Sequence, residues 1–132
     1  MIQIYLTRHG QTQSNVERLM QGWADTPLTA LGLEQGKLLG KKLRSIPFSK
    51  IYCSPSKRAQ MTASFINAYQ HTDIIATNGL KEMNFGDLEL KAEPEGSTWQ
   101  QLLLYDWTKI GGNNIDMVSK QMKQMMDRIV QH

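Results

Sequence analysis

Lys50-Ile51-Tyr52-Cys53-Ser54-Pro55-Ser56-Lys57-Arg58-Ala59 opens the stretch whose pattern decides the fold. Its first four residues form a short, apolar-rich run bounded by turn residues, which reads as a strand. Ser54-Pro55 then offers serine at an N-cap and proline at the first helical position, a strong helix start. The helix is expected to reach about Gln70, with Ala59, Thr62, Ala63, Ile66 and Tyr69 on one face. Asp73–Thr77, carrying Ile74-Ile75-Ala76, reads as the next strand. A strand, a helix and a strand at this spacing argue for a parallel crossover, because a hairpin has no room for the helix between.

The same alternation extends towards the N-terminus. Ile2-Gln3-Ile4-Tyr5-Leu6-Thr7 alternates as a strand does and ends at Arg8-His9-Gly10, where Gly10 permits a sharp turn. Residues 11–27 are polar and turn-rich. A helix is expected from an N-cap at Thr29 to about Ser45, with Leu31, Leu38, Leu39 and Leu43 as its apolar stripe and Pro47 as its stop. The expected architecture is therefore α/β: a three-layer αβα sandwich with a mostly parallel central sheet. Beyond Leu80 the chain becomes irregular, punctuated by Gly86, Pro94 and Gly96. A short helix from Ser97 carries Trp99, Leu102, Leu103 and Trp107 and closes at Gly111-Gly112. The last helix, about 114–131, places Ile115, Val118, Met122, Met125, Met126 and Ile129 at helical spacing, a stripe that reads as core, with a Met-rich partner surface as the alternative. No linker divides the chain, so one domain over 1–132 is expected.

Composition narrows the classes. The 132 residues are 40% hydrophobic, enough to build a core and exclude wholesale disorder. No apolar run is long enough to span a bilayer. The opening residues lack the basic start and apolar stretch of a signal peptide, so a cytoplasmic protein without a membrane partner is expected. The one cysteine, Cys53, forms no internal disulfide and no Cys-rich metal site. The net charge is +3, but the basic residues are scattered except for Lys41-Lys42-Arg44, which reads as a solvated helix face. Basic residues interleaved with aromatics are lacking, so nucleic acid is not expected as a partner. A mild positive balance suits an anionic small molecule equally well.

Three strand ends carry the residues suited to chemistry. At the end of the first, His9 stands between Arg8 and Gly10. Ligands of open α/β sheets bind at the carboxyl ends of strands. An imidazole nitrogen there can attack phosphorus while an arginine fork holds the phosphoryl oxygens; the alternative is a buried histidine bonded to backbone. At the second, Arg58 falls in the first turn of a helix, where amide N–H groups and the dipole favour anions and disfavour a cation; a solvated surface arginine is the alternative. At the third, Glu82 follows in Leu80-Lys81-Glu82-Met83-Asn84-Phe85-Gly86. Near a bound phosphate its ionised form would be disfavoured, which suits a general acid; a plain surface glutamate is the alternative. Together they compose a phosphate-ester site.

The chain resembles the histidine phosphatase superfamily, which includes the cofactor-dependent phosphoglycerate mutases and many small phosphatases. The matching residues are Thr7-Arg8-His9-Gly10-Gln11-Thr12, Asn15, Arg18, Gln21-Gly22-Trp23, Asp25-Thr26-Pro27-Leu28-Thr29, Gly32, Gln35, Ser54-Pro55-Ser56-Lys57-Arg58-Ala59, Thr62-Ala63, Glu82 and Phe85-Gly86-Asp87. They fall in the family's order over roughly the first ninety residues. The resemblance implies a phosphomonoester hydrolase in which His9 becomes phosphohistidine. Arg8 and Arg58 would grip the phosphoryl group, Asn15 would donate a further hydrogen bond, Gln21 and Gly22 would flank the substrate, and Glu82 would be the proton donor. No metal or nucleotide cofactor is expected, and neither a phosphate-binding GxxxxGK[ST] loop, nor GxGxxG, nor HExxH occurs. Hydrolysis is expected over mutase-type phosphoryl transfer, because the Gln21-Gly22-Trp23 loop and short middle region resemble the small phosphatases.

One family feature has no counterpart. A second active-site histidine belongs in a His-Gly after another apolar strand near the C-terminus, whereas the last helix here runs to Val130-Gln131-His132. His71 lies in a polar turn and reads as a surface residue, and His132 follows a helix; neither matches. The expectation is a C-terminally truncated member. Loss of one preorganised contact of this kind costs ~10²–10³ in turnover, so an inactive or weakly active chain that only binds phosphate esters is the alternative function. The absent strand would leave a sheet edge exposed, inviting a homodimer or domain swap.

Overall fold

The structure, a computed structural model, describes residues 1–131. Its contacts gather into two compact units. One comprises Met1–Gln13 and Thr26–Asn78, the other Ser14–Asp25 and the chain from Gly79 onward.

In the first unit the crossover stands as the sequence pattern requires. Strand β1 (Lys50–Cys53) and strand β2 (Asp73–Ala76) pair in parallel, with Ile51 opposite Ile74 and Cys53 opposite Ala76. A helix of this unit, Lys57–Asn67, connects them and packs on both. Its N-cap is Ser56 rather than Ser54: the Ser56 hydroxyl accepts from the Ala59 amide, while the Ser54 hydroxyl accepts from the Ser56 amide. Arg58 nevertheless remains in the first turn. The helix buries Arg58, Thr62, Ala63 and Ile66; Tyr69, expected on the same face, lies beyond its end and is exposed.

The helix spanning Ala30–Leu43 starts where expected, with the Thr29 hydroxyl accepting from the Gly32 amide. Its packing face follows the leucine stripe only in part. Leu39 and Leu43 are half-buried, Leu31 and Leu38 are exposed, and the buried residues are Gly32, Gly36 and Gly40. These glycines recur every four residues, so they form one ridge along the helix. With no side chains there, the backbone sits directly against Phe65: a Cβ on Gly36 would strike the Phe65 ring, and one on Gly40 the Phe65 carbonyl. Backbone proximity, not leucine burial, joins these two helices.

The strand expected at 2–7 is a correction. Residues 1–11 belong to no helix or strand, and Ile2, Ile4, Tyr5 and Leu6 are exposed. Alternation supplies side chains for a strand but no hydrogen-bond partner, and no described segment lies in ladder register with it. Just beyond that segment, Thr12 forms an isolated antiparallel bridge to Leu28. The sheet among the described residues is therefore the parallel pair alone.

The second unit is built on Met20, Met83, Phe85, Leu102 and Trp107, all buried. Phe85 meets Trp107 edge-on at 5.2 Å, and the Trp107 indole donates to the Leu102 carbonyl at 3.0 Å. Helix Trp99–Leu104 begins at Thr98 in a capping box with Gln101, and Gly111 closes the following 3-10 turn (Trp107–Ile110) in the left-handed region. The terminal helix, Ile115–Gln131, buries Met125 and leaves Met117 and Met122 exposed, so the methionine stripe is core only in part. We number the helices α1 (Gln13–Glu17), α2 (Ala30–Leu43), α3 (Lys57–Asn67), α4 (Trp99–Leu104) and α5 (Ile115–Gln131). None of them is long and apolar enough to cross a membrane.

Candidate active site

In the first unit, the residues after Thr7 are held by hydrogen bonds to segments distant in sequence. The Gly10 amide donates to the Thr62 hydroxyl at 3.2 Å, and that hydroxyl donates to the Arg58 carbonyl at 2.9 Å. The Gln11 amide donates to Gln35 Oε1 at 2.9 Å. The Gln11 carbonyl accepts the Thr29 amide at 2.9 Å. Gly10 is buried, and a Cβ on it would overlap the Gly32 carbonyl, so glycine is required here for the approach to α2. The segment is thus irregular yet pinned, and His9 sits immediately before the pin.

His9 is half-buried, and its Nδ1 lies 2.7 Å from the Gly10 carbonyl. A carbonyl accepts only, so Nδ1 carries the proton and Nε2 bears the lone pair in the neutral ring. That is the tautomer a nucleophilic imidazole needs. Arg8 is exposed beside it. Thr7, Arg8, His9 and Gly10 line an open cleft of about 290 Å³ with Gln35, Gly36, Leu39 and Thr62. Arg58 does not line that cleft. It is 4% exposed, a buried cation in the first turn of α3, where the helix dipole opposes it. Through Thr62 its backbone is tied to Gly10, one residue from His9.

The remaining expected residues lie in the second unit. Asn15 stands exposed on the five-residue α1. Gln21 is half-buried, and Gly22 is buried where a Cβ would overlap the Met83 carbonyl. Glu82 is exposed, and its Oε1 accepts from the Met83 amide at 2.9 Å, which fixes the carboxyl direction. The Trp23 indole donates to the Glu82 carbonyl at 3.0 Å, and Lys81 Nζ lies 4.0 Å from the Trp23 ring centroid. Gln21-Gly22-Trp23 and Lys81-Glu82-Met83 are therefore docked on each other. His71 is exposed, as expected of a surface residue; His132 falls outside the described residues.

The matches to known proteins follow this geometry. The family model of the histidine phosphatase superfamily (branch 1) aligns with residues 4–132. The chain belongs to the histidine phosphatase superfamily. It is 37% identical over 128 residues to "Probable phosphoglycerate mutase GpmB" of Salmonella paratyphi A, covering 90% of this chain and 59% of that one. Among solved structures it superposes on the phosphoglycerate mutase of Bacillus anthracis with a TM-score of 0.82 at 28% identity, over 95% of this chain and 66% of that one. The α-ribazole phosphatase of Shigella flexneri superposes with a TM-score of 0.79 at 29% identity, covering 93% and 64%. A mycobacterial glucosyl-3-phosphoglycerate phosphatase, solved with VO3, gives 0.79 at 26% identity, covering 92% and 61%. The α/β fold is thus that of phosphoglycerate mutase-like proteins, and the chain spans between half and two thirds of the length of these relatives.

Two residues of the superfamily chain act in ways the sequence pattern does not foretell. Thr62, expected on a helix face and among the matching residues but given no role, is the hydroxyl between Gly10 and Arg58. Glu89 accepts backbone amides from Gly22, Trp23, Ala24 and Phe85. Three of those donors lie 65–67 residues away in sequence, so no local motif announces the arrangement.

Proposed function

We propose that this chain is a phosphomonoester hydrolase acting through a phosphohistidine on His9. What carries the reading is His9 itself: Nδ1 bonded to the Gly10 carbonyl leaves the lone pair on Nε2, and Gly10 is tied through Thr62 to the turn that bears buried Arg58. In the first step Nε2 attacks phosphorus, a N–P bond forms, and the ester P–O bond breaks. Glu82 supplies the proton to the departing alkoxide. In the second step water attacks phosphorus, its proton returns to the Glu82 carboxylate, and the N–P bond breaks to release inorganic phosphate. Arg8 and Arg58 hold the equatorial oxygens as charge moves onto them, with Asn15 as a further hydrogen-bond donor and Gln21 and Gly22 beside the substrate.

Hydrolysis of p-nitrophenyl phosphate by this chain and by His9→Ala tests the proposal. The expected result is turnover that disappears in the variant, with a burst of nitrophenolate if breakdown of the phosphoenzyme is slow. No His9-dependent turnover, alongside retained binding of inorganic phosphate, would instead make the chain a phosphate-ester binder. Relatives named phosphoglycerate mutase give a further reading, transfer of the phosphoryl group to a second hydroxyl rather than to water. Phosphate release from a phosphoglycerate, against formation of its isomer, separates the two.

A further inference from the structure

The Glu89 carboxylate is the meeting point of two segments. Oε1 accepts the amides of Trp23 at 2.7 Å and Phe85 at 3.1 Å. Oε2 accepts those of Gly22 at 3.0 Å and Ala24 at 3.4 Å. One acidic side chain therefore gathers three consecutive N–H groups of the loop after Gln21 and a fourth from the segment after Glu82. Each oxygen accepts two of these donors.

The surrounding backbone is shaped to deliver this carboxylate. Glu89 follows the 3-10 turn Gly86–Leu88, and its own amide donates to the Gly86 carbonyl at 3.0 Å. Leu90 comes next with φ 61°, a conformation that is uncommon and strained for a large side chain. Its amide donates to the Met20 carbonyl at 2.7 Å, while the Met20 amide donates to the Lys91 carbonyl at 2.8 Å. Met20 is buried core, so the strained turn is locked immediately after Glu89. Phe85, on the other side, is anchored against Trp107. A rigid core thus holds the carboxylate, and the carboxylate holds the loop.

From this we propose that Glu89 is a positioning residue for proton delivery: by holding Gly22, Trp23 and Ala24 against the segment of Phe85, it sets the Trp23 indole on the Glu82 carbonyl and so, together with the Met83 amide that holds Oε1, fixes the backbone from which the Glu82 carboxyl acts. The inference rests on the phosphatase reading above and names a residue that touches neither substrate nor phosphate. Glu89→Gln replaces one acceptor oxygen by an NH2 donor, which faces two amide donors and frees that half of the loop. Glu82 then loses its setting, while His9 and Arg58 keep theirs.

The discriminating measurement is dependence on the leaving group. Nitrophenolate departs without help from an acid, whereas the alkoxide of β-glycerophosphate needs a proton. Turnover of both esters is measured for the unaltered chain, Glu89→Gln and Glu89→Asp, with thermal melts to report folding. The expected result is a fall in kcat for β-glycerophosphate about tenfold greater than for p-nitrophenyl phosphate in Glu89→Gln, part of the 10²–10⁴ a general acid supplies. Glu89→Asp, which keeps the charge with a shorter reach, recovers part of the difference. Loss of folded protein alone lowers both esters by one factor, and that equal fall, or no fall, overturns the proposal. If Glu89→Gln does not fold, Glu89→Asp decides: an unchanged ratio of the two esters overturns it. An unaltered chain with no His9-dependent turnover overturns the phosphatase reading and this inference with it, whereas an active chain with an unchanged ratio overturns the role of Glu89 alone.

Discussion

Replacing Thr62 by valine removes one hydroxyl and keeps the shape of the side chain. Thr62 is 4% exposed and Gly10 is buried, so water does not substitute for what is lost. The Gly10 amide, 3.2 Å from the hydroxyl, is left without an acceptor, at a cost of about 1–3 kcal/mol. The bond from the hydroxyl to the Arg58 carbonyl disappears as well, but its donor disappears with it, so that loss adds little. A net of about 2 kcal/mol lowers the urea midpoint by about 1 M for a small protein with an ordinary m-value. Thr62→Ser keeps the hydroxyl and loses one methyl group, about 1 kcal/mol or less. The catalytic effect follows the same order. His9 precedes Gly10, and a released Gly10 displaces the imidazole, so kcat/KM on p-nitrophenyl phosphate falls tenfold or more in Thr62→Val and stays near the unaltered value in Thr62→Ser. Urea unfolding and initial rates on the three proteins check both. The reasoning is refuted if valine costs under about 0.5 kcal/mol, the size of an ordinary surface substitution, or if serine is as damaging as valine.

Two further outcomes rest on packing and titration in the first unit. Gly40→Ala gains about 1 kcal/mol of helix propensity but drives a methyl group into the Phe65 carbonyl, so it destabilises by about 1–2 kcal/mol net; Gly36→Ala, which meets the more yielding Phe65 ring, costs less in the same unfolding assay. Burial pushes the Cys53 thiol up from its ordinary value. The unfolded chain then ionises this thiol at a lower pH than the folded one. The stability it contributes is full below the unfolded pKa and is lost as pH rises through the folded one. Stability measured above about pH 8.5 should therefore decline more steeply for the unaltered chain than for Cys53→Ala, and native Cys53 should resist alkylation.

The order of elements from β1 to α5 was legible because it depends on neighbours in sequence. Thr29 caps α2 with its own hydroxyl, Thr98 and Gln101 form a capping box three residues apart, and the Lys50–Cys53 and Asp73–Ala76 runs flank a helix of the length a parallel crossover requires. The candidate site residues His9, Arg8, Arg58 and Glu82 were named from expected strand ends, the first of which carries no strand, and from a resemblance carried by short motifs. The shift of the α3 cap from Ser54 to Ser56 is a local competition between two serines that spacing alone does not rank.

Tertiary structure decided what depends on partners distant in sequence. Alternation in Ile2–Thr7 describes a strand's side chains, but a strand is a ladder, and none forms on that segment among the described residues. Hydropathy pointed to the leucines of α2, whereas the helix packs through Gly32, Gly36 and Gly40, since glycine contributes no hydrophobicity yet allows the closest approach. Thr62 reads as a helix-face residue and Glu89 carries no reading at all until the Gly10 amide and the amides of Gly22, Trp23 and Ala24 arrive from across the chain. The sequence by itself determined the local elements and the chemical groups, because propensity, capping and reactivity belong to individual residues and their near neighbours. Only the fold decided which backbone amides those groups must satisfy, because burial removes water as the alternative partner.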